Sequence, residues 1–210
     1  MAWIAALCPA LLLVSVDVAY AQAARFRVEG ERLFYNTAIP YPDDPSTSIT
    51  MRDAEEMALY LMEAPEVSIV VLESNGGVSE AAIQMGEKIT RLGLATEVRN
   101  SCDSACPLIF LGGYPRTLAT GGILGFHRGY VTAIGIKDSA ESQNEQRTDE
   151  FNAVEDAYDR AITDTLKDLG YMVRYGVNEE FVLEMLTIPP NEIWRPSRAE
   201  LVAAGVLHAD

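Results

Sequence analysis

Histidine is the scarcest reactive side chain in this sequence. The chain of 210 residues contains 2 histidines, and His208 lies near the C-terminus, in a part of a chain that usually frays. His127 is therefore the candidate general base. It follows residues 123–126, an apolar run typical of a strand, and strand ends in α/β sheets commonly carry functional groups. The alternative is a histidine that is only hydrogen-bonded at the end of its strand.

Ser104 is the candidate nucleophile. A serine hydroxyl attacks a carbonyl once a base removes its proton, and backbone N–H groups at a helix N-terminus stabilise the resulting oxyanion. Ser104 begins a predicted helix over residues 104–111, and the small Ala105 lets a substrate carbonyl approach the backbone. The alternative is an ordinary helix N-cap. Asp103 is interpreted as an acid that favours the same helix N-terminus.

Two glycines offer a second stretch of backbone, besides that at Ala105, that a substrate carbonyl could approach. Gly76 and Gly77 follow a predicted buried strand over residues 67–72. The amides of Gly77 and Ala105 would form an oxyanion hole, in which each donor is worth about 2.7 to 4 kcal/mol in the transition state. Turns also use glycine for conformational reasons alone, so the pair by itself is a weak signal.

Strands and helices alternate along the chain. Strands are predicted at residues 32–36, 67–72, 94–98 and 123–126, and helices at 51–64, 79–92 and 104–111. The C-terminal third contains a long amphipathic helix over 151–169, a shorter helix over 178–186 and a last helix that opens on the capping box 197–200. This order predicts an α/β fold with a mostly parallel sheet and a helical C-terminal region.

Composition excludes several classes of protein. The chain carries 16 Lys and Arg against 31 Asp and Glu, a formal net charge of -15, and has no basic run. Nucleic acids and anionic membrane surfaces need clustered cations, so neither is a predicted partner. A hydrophobic content of 49% excludes a mostly disordered chain.

Residues 1–21 are predicted to be a secretory signal peptide, which leaves residues 22–210 as the mature domain. The segment is apolar, carries the single charge of Asp17 and ends in the small-x-small site Ala19-Tyr20-Ala21. Its first residues lack Lys and Arg, so an uncleaved anchor, a weak membrane tether, is the alternative. The predicted location is the periplasm or the outside of the cell.

Three segments carry a resemblance to a known family. Residues 72–77 read Leu-Glu-Ser-Asn-Gly-Gly, residues 102–106 read Cys-Asp-Ser-Ala-Cys, and residues 125–128 read Gly-Phe-His-Arg. In order and spacing, residues 32–207 resemble the proteolytic subunit of Clp protease and its exported relatives in the Clp/crotonase superfamily. The resemblance implies a Clp/crotonase-like spiral of βαβ units with a mostly parallel sheet and an outlying C-terminal helical region.

The resemblance also implies roles for individual residues. Ser104 would be the nucleophile, His127 the general base, and the amides of Gly77 and Ala105 the oxyanion donors, with Gly76 in the same loop. The sequence departs from the family at Asn75, where the family usually carries proline, and in the two cysteines that flank the serine.

The resemblance gives two candidates for the third catalytic residue. The family places an acidic residue just before the last strand and helix, and Glu192 matches that position best, with Asn191 as the alternate. Its task would be to hold the imidazole tautomer and stabilise the imidazolium. A Ser-His dyad without a third member, and a Glu192 that is only a solvated carboxylate, both stay open.

The cysteine pair has two interpretations. Cys8 lies in the predicted signal, so Cys102 and Cys106 remain, and an oxidising compartment favours a disulfide between them. Residues four apart on a helix hold their Cβ atoms about 5 to 6 Å apart, so the bond requires that Cys102 precede the helix in a turn. The alternative is a zinc site of Cys102, Cys106 and His127 with a carboxylate, which lacks a clear fourth ligand. No metal or other cofactor is predicted.

The predicted function is that of an exported serine hydrolase, and more specifically a peptidase. It would cleave peptide bonds through an acyl-enzyme on Ser104, with His127 as the general base. The chain has no nucleotide-binding loop, so the activity is predicted to be independent of ATP. A peptide or protein is the predicted substrate, and the resemblance implies a homo-oligomer.

Two other functions stay open. A catalytically silent scaffold or peptide-binding module would keep the fold, with Ser104 as a cap. A crotonase-like enzyme would act on acyl-CoA thioesters, which fits poorly with export and with the lack of a basic cluster for the phosphates.

Overall fold

The computed structural model describes residues 24–129 and 148–208, with side chains described for 24–129 and 154–208. The predicted signal segment, residues 1–21, lies outside them. Among the described residues, no helix combines the length and the hydropathy that crossing a membrane requires.

One sheet organises the described residues. Its strands are β1 (Phe26–Glu29), β2 (Arg32–Asn36), β3 (Ile69–Ser74), β4 (Ala95–Asp103), β5 (Arg116–Leu118) and β6 (Ile123–Gly125). They lie in the order β1-β2-β3-β4-β5, and β6 pairs with the end of β4 beyond β5. Only the β1–β2 pair is antiparallel in this sheet. The prediction of a mostly parallel α/β fold is therefore confirmed.

Helices cover the sheet and form the C-terminal region. They are α1 (Met51–Glu63), α2 (Ser79–Leu92), α3 (Cys106–Leu111), α4 (Thr148–Arg174), α5 (Glu179–Thr187) and α6 (Arg198–Ala203). The bounds of α2 match the prediction, because Gly93 takes a left-handed conformation (φ 66°) that ends the helix. The capping box at Ser197 and Glu200 is confirmed at the start of α6.

The core lies where the central strands meet the helices. Val70, Val71 and Leu72 of β3 are all at least 95% buried, as expected for a strand covered on both faces. Met85 and Ile89 present the apolar side of α2 to this core and are almost completely buried. Burial of each such side chain stabilises the fold by about 1.5 to 3 kcal/mol.

Two strands were not predicted, and one was predicted too short. β1 and β5 are short, and β4 runs through residues 99–103, beyond the predicted end of its strand at residue 98. The reason is non-local: Ser101, Cys102 and Asp103 pair with β6, a strand that arrives later in the chain. Local sequence patterns do not report such pairing.

Asp53 anchors the segment that leads into the site. Its buried carboxylate accepts hydrogen bonds from Arg25 Nη1 (3.1 Å), the Tyr41 hydroxyl (2.8 Å) and the Thr50 backbone N–H (2.7 Å). These bonds fix the loop before α1, and Ile49 in that loop pairs with the glycine segment after β3. One carboxylate thus connects the first strand, the first helix and the edge of the candidate site.

We expect Asp53→Asn to lower the free energy of unfolding by about 3 to 5 kcal/mol, because it leaves the Arg25 guanidinium buried without its counter-ion. Urea denaturation followed by circular dichroism measures the change. Asp43→Asn is the control, since Asp43 makes an exposed ion pair with Arg52 and its removal should barely move the midpoint. Equal midpoints for the two variants would contradict the anchoring role.

Candidate functional site

The candidate residues meet at the carboxyl edge of the sheet. Gly76 and Gly77 follow β3, Ser104 follows β4, and His127 lies two residues after β6. Because β4 pairs in parallel with both β3 and β6, the three segments leave the sheet at the same edge. This is the edge at which open α/β sheets bind ligands.

Ser104 sits in a tight turn between strand and helix. Its φ is 61°, the one positive value for a non-glycine residue among the described residues. Its N–H donates to the Gly125 carbonyl (2.9 Å), which extends the β4–β6 pairing past the end of the strand. The prediction that α3 begins at Ser104 was wrong by two residues, because a left-handed residue cannot lie in an α-helix. Such strained turns are found at functional sites.

Ser104 and His127 are hydrogen-bonded. The distance from Ser104 Oγ to His127 Nε2 is 2.7 Å, and the other ring nitrogen, Nδ1, lies 2.8 Å from the carbonyl oxygen of Arg128. A carbonyl oxygen only accepts, so Nδ1 of the neutral ring carries the proton. Nε2 is then the acceptor and takes the hydrogen bond from the serine hydroxyl, which is the arrangement that a general base requires.

The glycine loop packs directly against the serine turn. A Cβ on Gly76 would stand 2.5 Å from Ser104 Cβ and 2.9 Å from the Ala105 nitrogen, so only glycine fits there. Ile49 N–H donates to the Gly76 carbonyl (2.8 Å) and Val78 N–H donates to the Ile49 carbonyl (2.9 Å). Because backbone groups alternate along an extended segment, the N–H of Gly77 faces away from Ile49.

A disulfide spans the serine turn. Cys102, in β4, and Cys106, the first residue of α3, are joined with their Cα atoms 5.2 Å apart, and both are fully buried. The predicted pairing is confirmed, and its condition is met because Cys102 precedes the helix. The zinc alternative is wrong, since the two sulfurs bond to each other and are not free thiolates. Among the described residues, no group of three or more His, Cys, Asp or Glu is placed to hold a metal.

Asp103 has a different role from the predicted one. It is the last residue of β4, 7% exposed, and its carboxylate binds the Arg195 guanidinium through two hydrogen bonds of 2.6 and 3.0 Å. A Cβ on Gly125 would stand 2.2 Å from Asp103 Oδ1, so the glycine makes room for this pair. The ion pair ties the residue before Ser104 to the C-terminal segment, whose Trp194 pairs with Phe126.

Glu192 and Asn191 lie in an exposed turn. The turn closes through a hydrogen bond from Glu192 N–H to the Pro189 carbonyl (3.0 Å), two residues before the Trp194 bridge. The assignment of Glu192, or of Asn191, as the third catalytic residue stays a prediction. The contact that the structure describes on Nδ1 of His127 is the Arg128 carbonyl, a backbone group that residue types alone do not indicate.

His208 is held in place away from this site. It accepts a hydrogen bond from the Arg116 backbone N–H at Nδ1 (3.1 Å), and its ring packs against Tyr114 with 4.6 Å between centroids. The expectation that it frays was wrong, because burial and these two partners hold it. Burial, followed by the nearby Arg116 charge, lowers the pKa of His208.

Two cavities share Ser104 and His127 in their linings. A broad cleft of about 710 Å³ contains Gly76 and Gly77, and a narrow cavity of about 40 Å³ contains Ala105 and apolar side chains of α3, α4 and α5. The residues shared by both linings are Ser79, Ser104, His127, Gly129, Thr165 and Asp168. The serine and the histidine therefore border both a broad cleft and a small, mostly apolar cavity.

Asp168 is the acidic residue that sequence reasoning missed. It lies on α4 and lines both cavities together with Thr165, and Met172 on the same helix lines the narrow one. Burial raises the pKa of the Asp168 carboxyl to about 6, and nearby Asp164 and Glu80 add to the rise. The sequence did contain an indication: Asp168 lies one turn before Met172, on a helix face that is otherwise apolar.

Comparison with solved structures shows the fold. The chain is similar to a point mutant of ClpP1 from Listeria monocytogenes, with a TM-score of 0.56 and 15% sequence identity, over 76% of this chain and 84% of that chain. The chain thus has a Clp/crotonase-like fold. No protein-family model matches the sequence, and a search of curated proteins gives no match. At this identity the Clp likeness concerns the fold, and the chemistry has to be argued from the site.

We expect removal of the disulfide by Cys102→Ala with Cys106→Ala to lower the free energy of unfolding by about 2 kcal/mol, since the bond closes a five-residue loop. The larger effect should be on Ser104, whose turn loses a covalent constraint. The rate of labelling of Ser104 by a fluorophosphonate measures that effect, and denaturation measures the first. Unchanged labelling in the double variant would show that the turn does not need the bond.

We expect Asp168→Asn to raise the melting temperature at pH 8 and to leave it nearly unchanged at pH 4. The carboxyl has a pKa of about 6 in the folded state, above its ordinary value of 3.8. Its ionisation therefore destabilises the folded state progressively as pH rises from the ordinary pKa to the raised one. Removal of the charge should gain about 1 to 2 kcal/mol at pH 8. Scanning calorimetry at both pH values checks this, and a gain that does not depend on pH would contradict it.

Proposed function

We propose that this protein is a serine hydrolase, and specifically a peptidase, in which Ser104 is the nucleophile and His127 is the general base. The observation that carries the proposal is the 2.7 Å hydrogen bond between Ser104 Oγ and an Nε2 whose acceptor state is set by the Arg128 carbonyl. The Clp/crotonase-like fold supports it at the level of architecture.

The reaction would begin with attack of Ser104 on a peptide carbonyl. His127 Nε2 takes the hydroxyl proton while Oγ bonds to the carbonyl carbon, and the carbonyl π electrons move to oxygen. The amides of Gly77 and Ala105 would donate to this oxyanion, with Gly76 allowing their close approach. Collapse of the tetrahedral species breaks the C–N bond, and the imidazolium gives its proton to the leaving amine.

Water would then release the acyl group. His127, neutral again, takes a proton from the water that attacks the ester, and the second tetrahedral species expels Ser104 Oγ, which recovers the proton. The Arg128 carbonyl holds the ring tautomer through both steps. Glu192, or Asn191 as the alternate, is the proposed additional partner of the ring, and a carboxylate there would stabilise the imidazolium further.

The proposed setting is an exported compartment, periplasmic or extracellular, reached through cleavage of residues 1–21. The buried disulfide fits an oxidising compartment. The proposed activity needs no ATP and no cofactor, and its substrate is a peptide or protein. We also propose a homo-oligomer, and a row of exposed apolar side chains on α4 supports it: Val154, Tyr158, Ile162 and Leu166.

The proposal is tested with a fluorophosphonate probe and intact-mass spectrometry of the full chain. We expect one adduct on the wild-type protein, none on Ser104→Ala, and labelling at least about a hundredfold slower for His127→Ala, because the base is lost. Ser101→Ala, a serine three positions earlier in β4, is the matched control and should label normally. A mature mass that begins at Gln22 would support export.

Absence of an adduct on folded wild-type protein in every oligomeric fraction would overturn the proposal. The catalytically silent scaffold would then be the better interpretation. Normal labelling of His127→Ala would instead remove His127 from the role of base and leave Ser104 activated by another group.

A further inference from the structure

The narrow cavity beside Ser104 is small enough to admit a single side chain. Its volume of about 40 Å³ corresponds to roughly three water molecules, and it shares Ser104 and His127 with the lining of the broad cleft. Leu108, Met172 and Met185 supply apolar walls. An unbranched side chain fits such a pocket better than a ring does.

One carboxylate interrupts these apolar walls. Asp168 lines the cavity, and its Oδ2 lies 3.8 Å from where a Cβ on Gly129 would stand, next to the backbone that follows His127. The carboxylate therefore lines both cavities, as do Ser104 and His127, the candidate nucleophile and base.

The charged groups around Asp168 favour a cation. Glu80 at the start of α2 and Asp164 on α4 add negative charge, while Lys167 opposes it and is exposed, 3.4 Å from Glu80. Ser79 donates a hydrogen bond to the carboxyl. A cation that entered the cavity would offset the cost of ionised Asp168, and the net charge of -15 would attract cationic peptides from a distance.

We propose that this cavity binds the side chain of a lysine of the substrate, with the apolar walls on its methylene stem and Asp168 on its charge. The bound residue is the one whose carbonyl Ser104 attacks, since Ser104 and Ala105 line the same cavity. This inference rests on the proposed function and narrows its substrate to peptides cleaved after a lysine.

The test compares two peptidyl diphenyl phosphonates that differ only in the residue next to phosphorus, lysine or norleucine. Norleucine keeps an unbranched four-carbon stem and lacks the ammonium group. We expect Ser104 to react at least about tenfold faster with the lysine probe at pH 8, as one well-placed ion pair allows. Asp168→Asn should abolish that preference, and Asp168→Glu should retain part of it.

A matched control separates local charge from overall charge. Asp159→Asn removes the same charge from an exposed position on α4 and should keep the preference for lysine. The preference should also fall as pH is lowered through about 6, because Asp168 gains a proton there. The ratio of the two rates cancels any effect of pH that is common to both probes.

Failure of this inference is distinguishable from failure of the proposed function. Equal or faster reaction with norleucine, or an unchanged ratio in Asp168→Asn, would overturn the lysine pocket while leaving the hydrolase intact. If neither phosphonate reacts and the fluorophosphonate also fails, the hydrolase is overturned. Calorimetry of Ser104→Ala with matched lysine and norleucine peptides then still decides the pocket, and equal binding of the two would overturn it.

Discussion

The site depends on the backbone of a single residue, Ser104, which is held at φ 61°. A side chain in this region costs about 1 to 3 kcal/mol, so the turn persists only if its surroundings over-determine it. They do so from each side: the Cys102–Cys106 bond spans the turn, the Arg195 guanidinium holds Asp103, and Gly76 packs on Ser104. As a result, Ser104 lies in the turn between β4 and α3, at the edge of the sheet, and is not the first residue of the helix.

The pairing of β4 with β6 explains why His127, the proposed base, lies beside Ser104. Asp103 pairs with Gly125, and Ser104 N–H continues the ladder to the Gly125 carbonyl (2.9 Å). The chain after β6 therefore passes beside the serine turn, and His127 is the first polar side chain there. A backbone carbonyl, that of Arg128, then sets its tautomer. A backbone carbonyl thus holds the ring tautomer, which is one of the tasks that a carboxylate performs in a catalytic triad.

Local patterns predicted what local forces decide. The bounds of α2 follow from helical periodicity and Gly93, and the start of α6 follows from the Ser197 capping box. The glycine pair, the serine, the histidine and the disulfide were found by residue type together with the family resemblance. What the sequence did not indicate depends on segments distant along the chain: the extension of β4 needs β6, and the partner of Asp103 lies 92 residues away.

Two aspartates near Ser104, the proposed nucleophile, show how environment assigns different roles to one residue type. Asp103 is buried next to Ser104 and accepts hydrogen bonds from Nη1 and Nη2 of Arg195, so its charge is used to hold the backbone. Asp168 faces the cavities, where burial and neighbouring acids make its charge costly, as the raised pKa of about 6 indicates. A charge that lowers stability and lies beside Ser104 and His127 indicates a role in ligand binding and not in packing. If the cavity binds lysine as proposed, the arriving cation would make ionisation of Asp168 favourable, which would couple substrate binding to the electrostatics of the cavity.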